Sequence, residues 1–322
     1  MIKIKDLTVS YKSRTGKVRA LDSVNAEIGN GEIFGIVGES GSGKSTMAMT
    51  IMGLLPRNSL IEAGSIEVDG KEIIGLKPEE ARKIRGKKIS LVFQGAMNTL
   101  NPLMKIEDQV AEPLLIHREA KREEALRRAR ETLEIIGLDS YTWKKYPHEL
   151  SGGMKQRAVI ATAIVMNPGT IIADEPSTAL DVITQVQIMN ILRRLQREMD
   201  ITVIFISHDF PLVSEMADRI MILYGGKVSE VGSNRKILEE PGHPYTRGLI
   251  NSVPTMTPGR RLEAIPGEPV NIRDPPEGCR FRPRCTFAGE GCETYSYKPV
   301  EAGQGHLVYC VKYGEGKNAG SS

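Results

Sequence analysis

At 322 residues, 40% hydrophobic and 26% charged, the chain is long enough for one large folded domain and a smaller companion. A net charge of +3 with no block of like charge leaves no electrostatic footprint for nucleic acid. The start, MIKIKDLTVSYKSRTGKVRA, lacks the apolar run of a secretory signal, and no stretch reaches the ~20 apolar residues that span a bilayer, so any membrane role is expected to be peripheral and cytosolic.

The N-terminal region alternates as strands do, with Ile2, Ile4, Leu7 and Val9 and then Leu21, Val24 and Ile28 spaced for one buried face. Gly29-Asn30-Gly31 punctuates, residues 32–37 read as a buried strand, and Ser45 to Leu55 reads as a helix ending before Pro56. Further buried strands are expected at 88–93, 170–174 and 202–206. With helical segments between them they form a largely parallel sheet covered on both faces. Residues 97–160 differ: they are charge-rich and helical, and Leu126, Ala129, Leu133 and Ile136 mark the buried side of one helix. Arg219 to Val231 reads as a hairpin turning at Gly225-Gly226. Ten of the eighteen prolines lie from Pro241 onward, so a loop-rich second domain, 234–322, is expected after a first domain of 1–233.

Gly38-Glu39-Ser40-Gly41-Ser42-Gly43-Lys44-Ser45 is a P-loop between a strand and a helix. Its glycines let backbone N–H groups converge on phosphate oxygens at a helix N-terminus. Lys44 is expected on the β- and γ-phosphates, Ser45 on Mg²⁺ and Thr46 on the α-phosphate. The apolar strand Thr170-Ile171-Ile172-Ala173 ends in Asp174, a carboxylate for the Mg²⁺ shell. Glu175 follows as the candidate general base.

Leu150-Ser151-Gly152-Gly153-Met154-Lys155-Gln156-Arg157 sets two glycines before a helical run, a second phosphate site of helix-terminus type. One domain cannot aim two surface-facing sites at the same γ-phosphate. A head-to-tail dimer solves this by closing Ser151, Gly152 and Gly153 of one subunit over the P-loop of the other. The stretch resembles the signature motif of ABC ATPases. That resemblance implies an α/β fold: a P-loop ABC ATPase domain with RecA-like core, antiparallel β subdomain and helical subdomain (about 97–160), followed by a small C-terminal cysteine domain. It also implies roles for Gln94 (a Q-loop residue sensing Mg²⁺ and the γ-phosphate), His208 (a switch histidine on the γ-phosphate), Asp181 (a D-loop residue facing the other subunit) and Tyr11 (stacking on adenine).

Three stretches are similar to the ATPases of dipeptide and oligopeptide importers: Phe93-Gln94-Gly95-Ala96-Met97-Asn98-Thr99-Leu100-Asn101-Pro102, Tyr146-Pro147-His148-Glu149, and Pro241-Gly242-His243-Pro244-Tyr245. Gly95 departs from the pattern, standing where many relatives carry an acidic residue. The four cysteines, Cys279, Cys285, Cys292 and Cys310, all fall in the tail and have no C-x-x-C knuckle of the structural zinc kind. They resemble the segment of this subfamily that binds a 4Fe–4S cluster; zinc is the alternative cofactor, and free thiols remain open. The resemblance implies ATP and Mg²⁺ as further ligands. It implies as partners a second homologous ATPase subunit, two integral membrane subunits and a solute-binding protein, without nucleic acid. Import of oligosaccharides by the same architecture, and a soluble non-transport ABC ATPase, are the competing readings.

Overall fold

The computed structural model describes residues 1–13, 16–95, 98–253 and 263–314, so Ala96 and Met97 of the importer-like run lie outside the described residues. The chain opens with three strands, β1 (Ile2–Ser13), β2 (Gly16–Ile28) and β3 (Ile33–Val37), and the helix α1 (Lys44–Ile51). Two strands, β4 (Ser59–Val68) and β5 (Lys71–Glu72), lead to α2 (Pro78–Ile84) and β6 (Ile89–Val92). A helical stretch follows with α3 (Ile106–Ile116), α4 (Arg122–Ile135), α5 (Ser140–Trp143) and α6 (Gly152–Ile164). Strand and helix then alternate through β7 (Thr170–Asp174), α7 (Val182–Met199), β8 (Thr202–Ser207) and α8 (Phe210–Met216). The hairpin β9 (Arg219–Tyr224) and β10 (Lys227–Ser233) precedes α9 (Asn234–Glu239), α10 (Pro244–Asn251), β11 (Val300–Glu301), β12 (Leu307–Val308) and α11 (Val311–Gly314).

Two compact units result. The first comprises Met1–Ile28, Phe34–Ile74 and Ser207–Ser322. Its antiparallel sheet runs β2-β1-β4-β5, and Ile2, Ile4, Leu7 and Val9 are all buried, as the alternation predicts. The three-residue step from Ile4 to Leu7 reflects a register shift at Asp6, whose φ of 47° turns the strand and restores the inward face. In the same unit β3 pairs with β9 in parallel, β10 folds back on β9, and β12 pairs with β10. The helix after the P-loop is shorter than the sequence reading of Ser45 to Leu55: Gly53 takes φ 60° and its N–H donates to the Thr50 carbonyl at 3.0 Å, closing the helix.

The proline-rich tail gains order from buried charge. Glu230, fully buried, accepts from the N–H groups of Gly242 (2.8 Å) and His243 (2.9 Å) and meets His306 Nε2 at 2.7 Å. A buried carboxylate is tolerated because its lone pairs are met in this way.

The second unit comprises Gly29–Ile33 and Gly75–Ile206. Its strands β6, β7 and β8 pair in parallel, and β7 and β8 are buried along their whole length, which explains their unbroken apolar sequence. The helix α3 packs on α4 and α6. The buried stripe of α4 starts at Ala125, continuing through Ala129 and Leu133 to Ile136, while Leu126 sits half-buried on its flank. The sequence reading of Leu126 as a core position is corrected by one residue: at about 100° per residue Ala125, Ala129, Leu133 and Ile136 share one arc of the helix and Leu126 falls at its margin. Buried Glu107 pairs with Arg130 at 2.7 Å, tying α3 to α4. Among the described residues no helix is long and apolar enough to cross a membrane.

Candidate functional site

In the first unit the fully buried strand β3 delivers the chain to the P-loop, and α1 starts at Lys44. Gly43 caps that helix at φ 105°, and a Cβ there would lie 2.6 Å from the Ala20 carbonyl oxygen and 2.7 Å from Leu21 Cδ2. Backbone conformation and space both demand glycine. Lys44 is buried, and its Nζ donates to the carbonyls of Gly38 (2.6 Å) and Glu39 (3.0 Å), which holds the ammonium inside the loop. Ser42 Oγ is buried with no hydrogen-bond partner among the described residues, as expected where a phosphate oxygen is to be met. Ser40, Gly41 and Ser45 are exposed at the loop's rim. Tyr11 Oη lies 3.2 Å from Thr46 Oγ1, so the structure brings the aromatic predicted for adenine to the P-loop helix. His208 is exposed, directly after β8 and before α8, whose first turn Asp209 caps by accepting from the Leu212 N–H.

The second unit carries the remaining predicted residues. Asp174 is the buried last residue of β7. Glu175 adopts a left-handed φ of 49°. For a non-glycine residue this costs ~1–2 kcal/mol, a strain retained mainly where geometry matters. Its N–H donates to the Ile206 carbonyl at 2.9 Å, and Thr178 Oγ1 donates to its Oε2 at 2.9 Å, so backbone and carboxylate are both aimed. Gln94 is exposed just after β6.

Ser151 caps α6, accepting from the Met154 N–H at 3.3 Å, and leaves Gly152 exposed at the helix start. A Cβ on Gly153 would come within 2.5 Å of Thr184 Cγ2, so the signature's second glycine is a packing requirement as well. Asp181 caps α7 through the Thr184 N–H (2.9 Å) and hydroxyl (2.7 Å). Those bonds, backbone first, hold its carboxyl below the usual carboxylate range. Val182 and Ile183 beside it are 74% and 73% exposed, an apolar pair at the head of α7.

All four cysteines line one cavity in the first unit, together with Phe281 and Phe287. Burial pushes the thiols of Cys279 and Cys285 up to about 11 and raises that of Cys310. Among the described residues no three His, Cys, Asp or Glu side chains form a group fit to hold one metal ion. His243, at the cavity's edge, is pushed down to about 4 by burial, and its neutral Nδ1 accepts from the Tyr245 N–H at 3.0 Å.

Sequence reading missed a set of contacts on the P-loop. The Glu39 N–H donates to Tyr245 Oη at 3.1 Å, and the Glu39 carboxylate is gripped by Arg284 at 2.8 and 2.9 Å. These partners are 206 and 245 residues away in the chain, and no local pattern announces them.

The ABC transporter family profile matches residues 21–178, and the oligopeptide/dipeptide transporter C-terminal region matches residues 229–292. The oligopeptide transport ATP-binding protein OppD of Escherichia coli is 41% identical over 316 residues, covering 97% of this chain and 93% of that one. The dipeptide transport ATP-binding protein DppD of Bacillus subtilis is 40% identical, covering 96% and 94%. Among solved structures, a dimeric ATP-binding cassette in a post-hydrolysis state with ADP and Pi matches with a TM-score of 0.66 and 36% identity, over 73% of this chain and 99% of that one.

Proposed function

The chain belongs to the ATP-binding proteins of oligopeptide and dipeptide ABC transporters, and we propose that it drives the uptake of short peptides. It is an ABC ATPase. The observation that carries the peptide reading is the match of both regions, cassette and C-terminal segment, in relatives that align along nearly the whole chain.

In this reading Gly38, Ser40, Gly41, Ser42, Gly43, Lys44 and Thr46 bind the phosphates, while Ser45, Gln94 and Asp174 hold Mg²⁺ and Tyr11 stacks on adenine. Glu175 orients and deprotonates the attacking water, and His208 stabilises the γ-phosphoryl charge. Ser151, Gly152, Gly153 and Asp181 act on the nucleotide of a second, homologous subunit. The exposed apolar head of α7 beside Asp181 supports that dimer interface. Two integral membrane subunits and a solute-binding protein complete the transporter, and the chain sits peripherally on the cytoplasmic face. Uptake by the reconstituted complex tests the substrate class: labelled short peptides are expected to accumulate with ATP. Accumulation of oligosaccharides instead would overturn the peptide reading.

The cysteine cavity is proposed to hold a 4Fe–4S cluster. Four sulfur donors line one cavity that Phe281, Phe287, His243, Arg282 and Lys312 also line and no carboxylate enters, a donor set that fits a cluster. When bound, the group cross-links Cys279, Cys285, Cys292 and Cys310 and so staples a tail poor in regular structure. Protein purified without oxygen is expected to show broad visible absorption with iron and sulfide on analysis, and Cys279→Ser is expected to lose both. Zinc alone, or no metal at all, in the wild-type protein would remove the cluster assignment.

A further inference from the structure

The residues between the first two cysteines, Arg280-Phe281-Arg282-Pro283-Arg284, reach the P-loop by two routes. Arg284 is nearly buried, and its Nη1 lies 2.9 and 2.8 Å from the two carboxylate oxygens of Glu39. Its Nε donates to the Pro266 carbonyl at 2.8 Å, and its Nη1 also meets Tyr224 Oη at 3.3 Å, so the guanidinium is fixed from its other sides. Glu39 is thereby held at three points: its carboxylate by Arg284, its N–H by Tyr245, and its carbonyl by Lys44 at 3.0 Å. The second route is through Arg280, also buried, which bonds Asp22 and the Gly225 carbonyl. The next residue in that turn, Gly226, donates its N–H to the Ser42 carbonyl at 3.0 Å. Phe281, between the two arginines, packs on Tyr224 at 5.2 Å and on Tyr245 at 5.3 Å.

Two physical consequences follow. A P-loop works through the directions of its amides, and small misplacements of such preorganised donors are costly. Glu39 also places a negative charge within the loop that receives a polyphosphate, and like charges at that range disfavour binding unless one is neutralised. Arg284 supplies both the anchor and the neutralising charge. We propose that two residues of the Cys279–Cys285 segment position the ATP site, Arg284 by holding and neutralising Glu39 and Arg280 by bracing the turn beneath Ser42. The role requires only that the segment be folded, whichever group the cysteines hold.

The experiment measures ATP affinity of the full-length chain by calorimetry without Mg²⁺, alongside melting temperature. Arg284→Gln is expected to weaken ATP about tenfold by removing a charge-assisted bond and freeing the Glu39 charge. In steady-state hydrolysis the loss is expected in KM, with kcat little changed. Adding Glu39→Gln to Arg284→Gln is expected to restore affinity to within about threefold of wild type, because the uncompensated charge is gone. Arg282→Gln, whose parent side chain pairs with exposed Glu293, is expected to bind ATP normally. Wild-type affinity in Arg284→Gln, no recovery in the double variant, or an equal loss in Arg282→Gln would each overturn the proposal. Should Arg284→Gln fail to fold, Tyr245→Phe removes the hydroxyl that accepts from Glu39 and is expected to weaken ATP about threefold, the effect of one lost hydrogen bond. Unchanged affinity there would count against the proposal equally.

Discussion

Replacing Glu175 with glutamine is expected to cut phosphate release by about 10²–10⁴-fold, the range of a lost general base, while ATP binding stays at the wild-type level. The substitution is nearly isosteric. The Glu175 N–H still bonds the Ile206 carbonyl, and the side-chain oxygen still accepts from Thr178, so the backbone at φ 49° is retained. What disappears is the carboxylate's ability to take a proton. ATP then persists between subunits, so ATP-bound dimers of the variant are expected to accumulate on size-exclusion chromatography, paired with this chain or its homologue. Rapid hydrolysis by Glu175→Gln would transfer the base role to another residue. Failure of dimers to accumulate despite bound ATP would remove the head-to-tail arrangement instead.

The second large effect is expected at Lys44. Its ammonium is buried in the P-loop, bonded to the Gly38 and Glu39 carbonyls, and it is the residue proposed to meet the β- and γ-phosphates. Lys44→Met keeps the length and apolar stem but removes the charge. Hydrogen bonds to charged groups contribute ~1.5–3 kcal/mol each, so losing them at a polyphosphate is expected to lower ATP affinity by about 100-fold or more. Calorimetry measures it directly. Affinity within about threefold of wild type, with an unchanged melting temperature, would show that the loop's amides suffice without the lysine. The two variants separate binding from chemistry: one loses nucleotide, the other holds it without turning over.

Much of this site is legible in the sequence. The P-loop, the Asp174-Glu175 strand end and the Ser151-Gly152-Gly153 cap are local objects, each made by adjacent residues on one strand end or helix start. Their chemistry depends on backbone amides and short-range geometry, which a run of a few residues specifies. The strands read well for the same reason, since full burial on both faces leaves an unbroken apolar run in β7 and β8. Element boundaries are less legible. In α4 both Ala125 and Leu126 are apolar, and packing of the helix against its neighbours buries Ala125 and leaves Leu126 half-exposed. The end of α1 is set by Gly53, not by Pro56.

From sequence alone came the family, the nucleotide motifs in their order, and a cysteine-bearing tail. Each is encoded by neighbouring residues or by composition. Tertiary structure decided what holds the P-loop and what orders the tail. The Arg284–Glu39 pair spans 245 residues and the His306–Glu230 pair spans 76. Such contacts join segments far apart in the chain, so they exist only once folding has brought those segments together. In a linear sequence, Arg284 is one more charge in a basic run; within the fold it is the counter-ion of a residue in the phosphate loop.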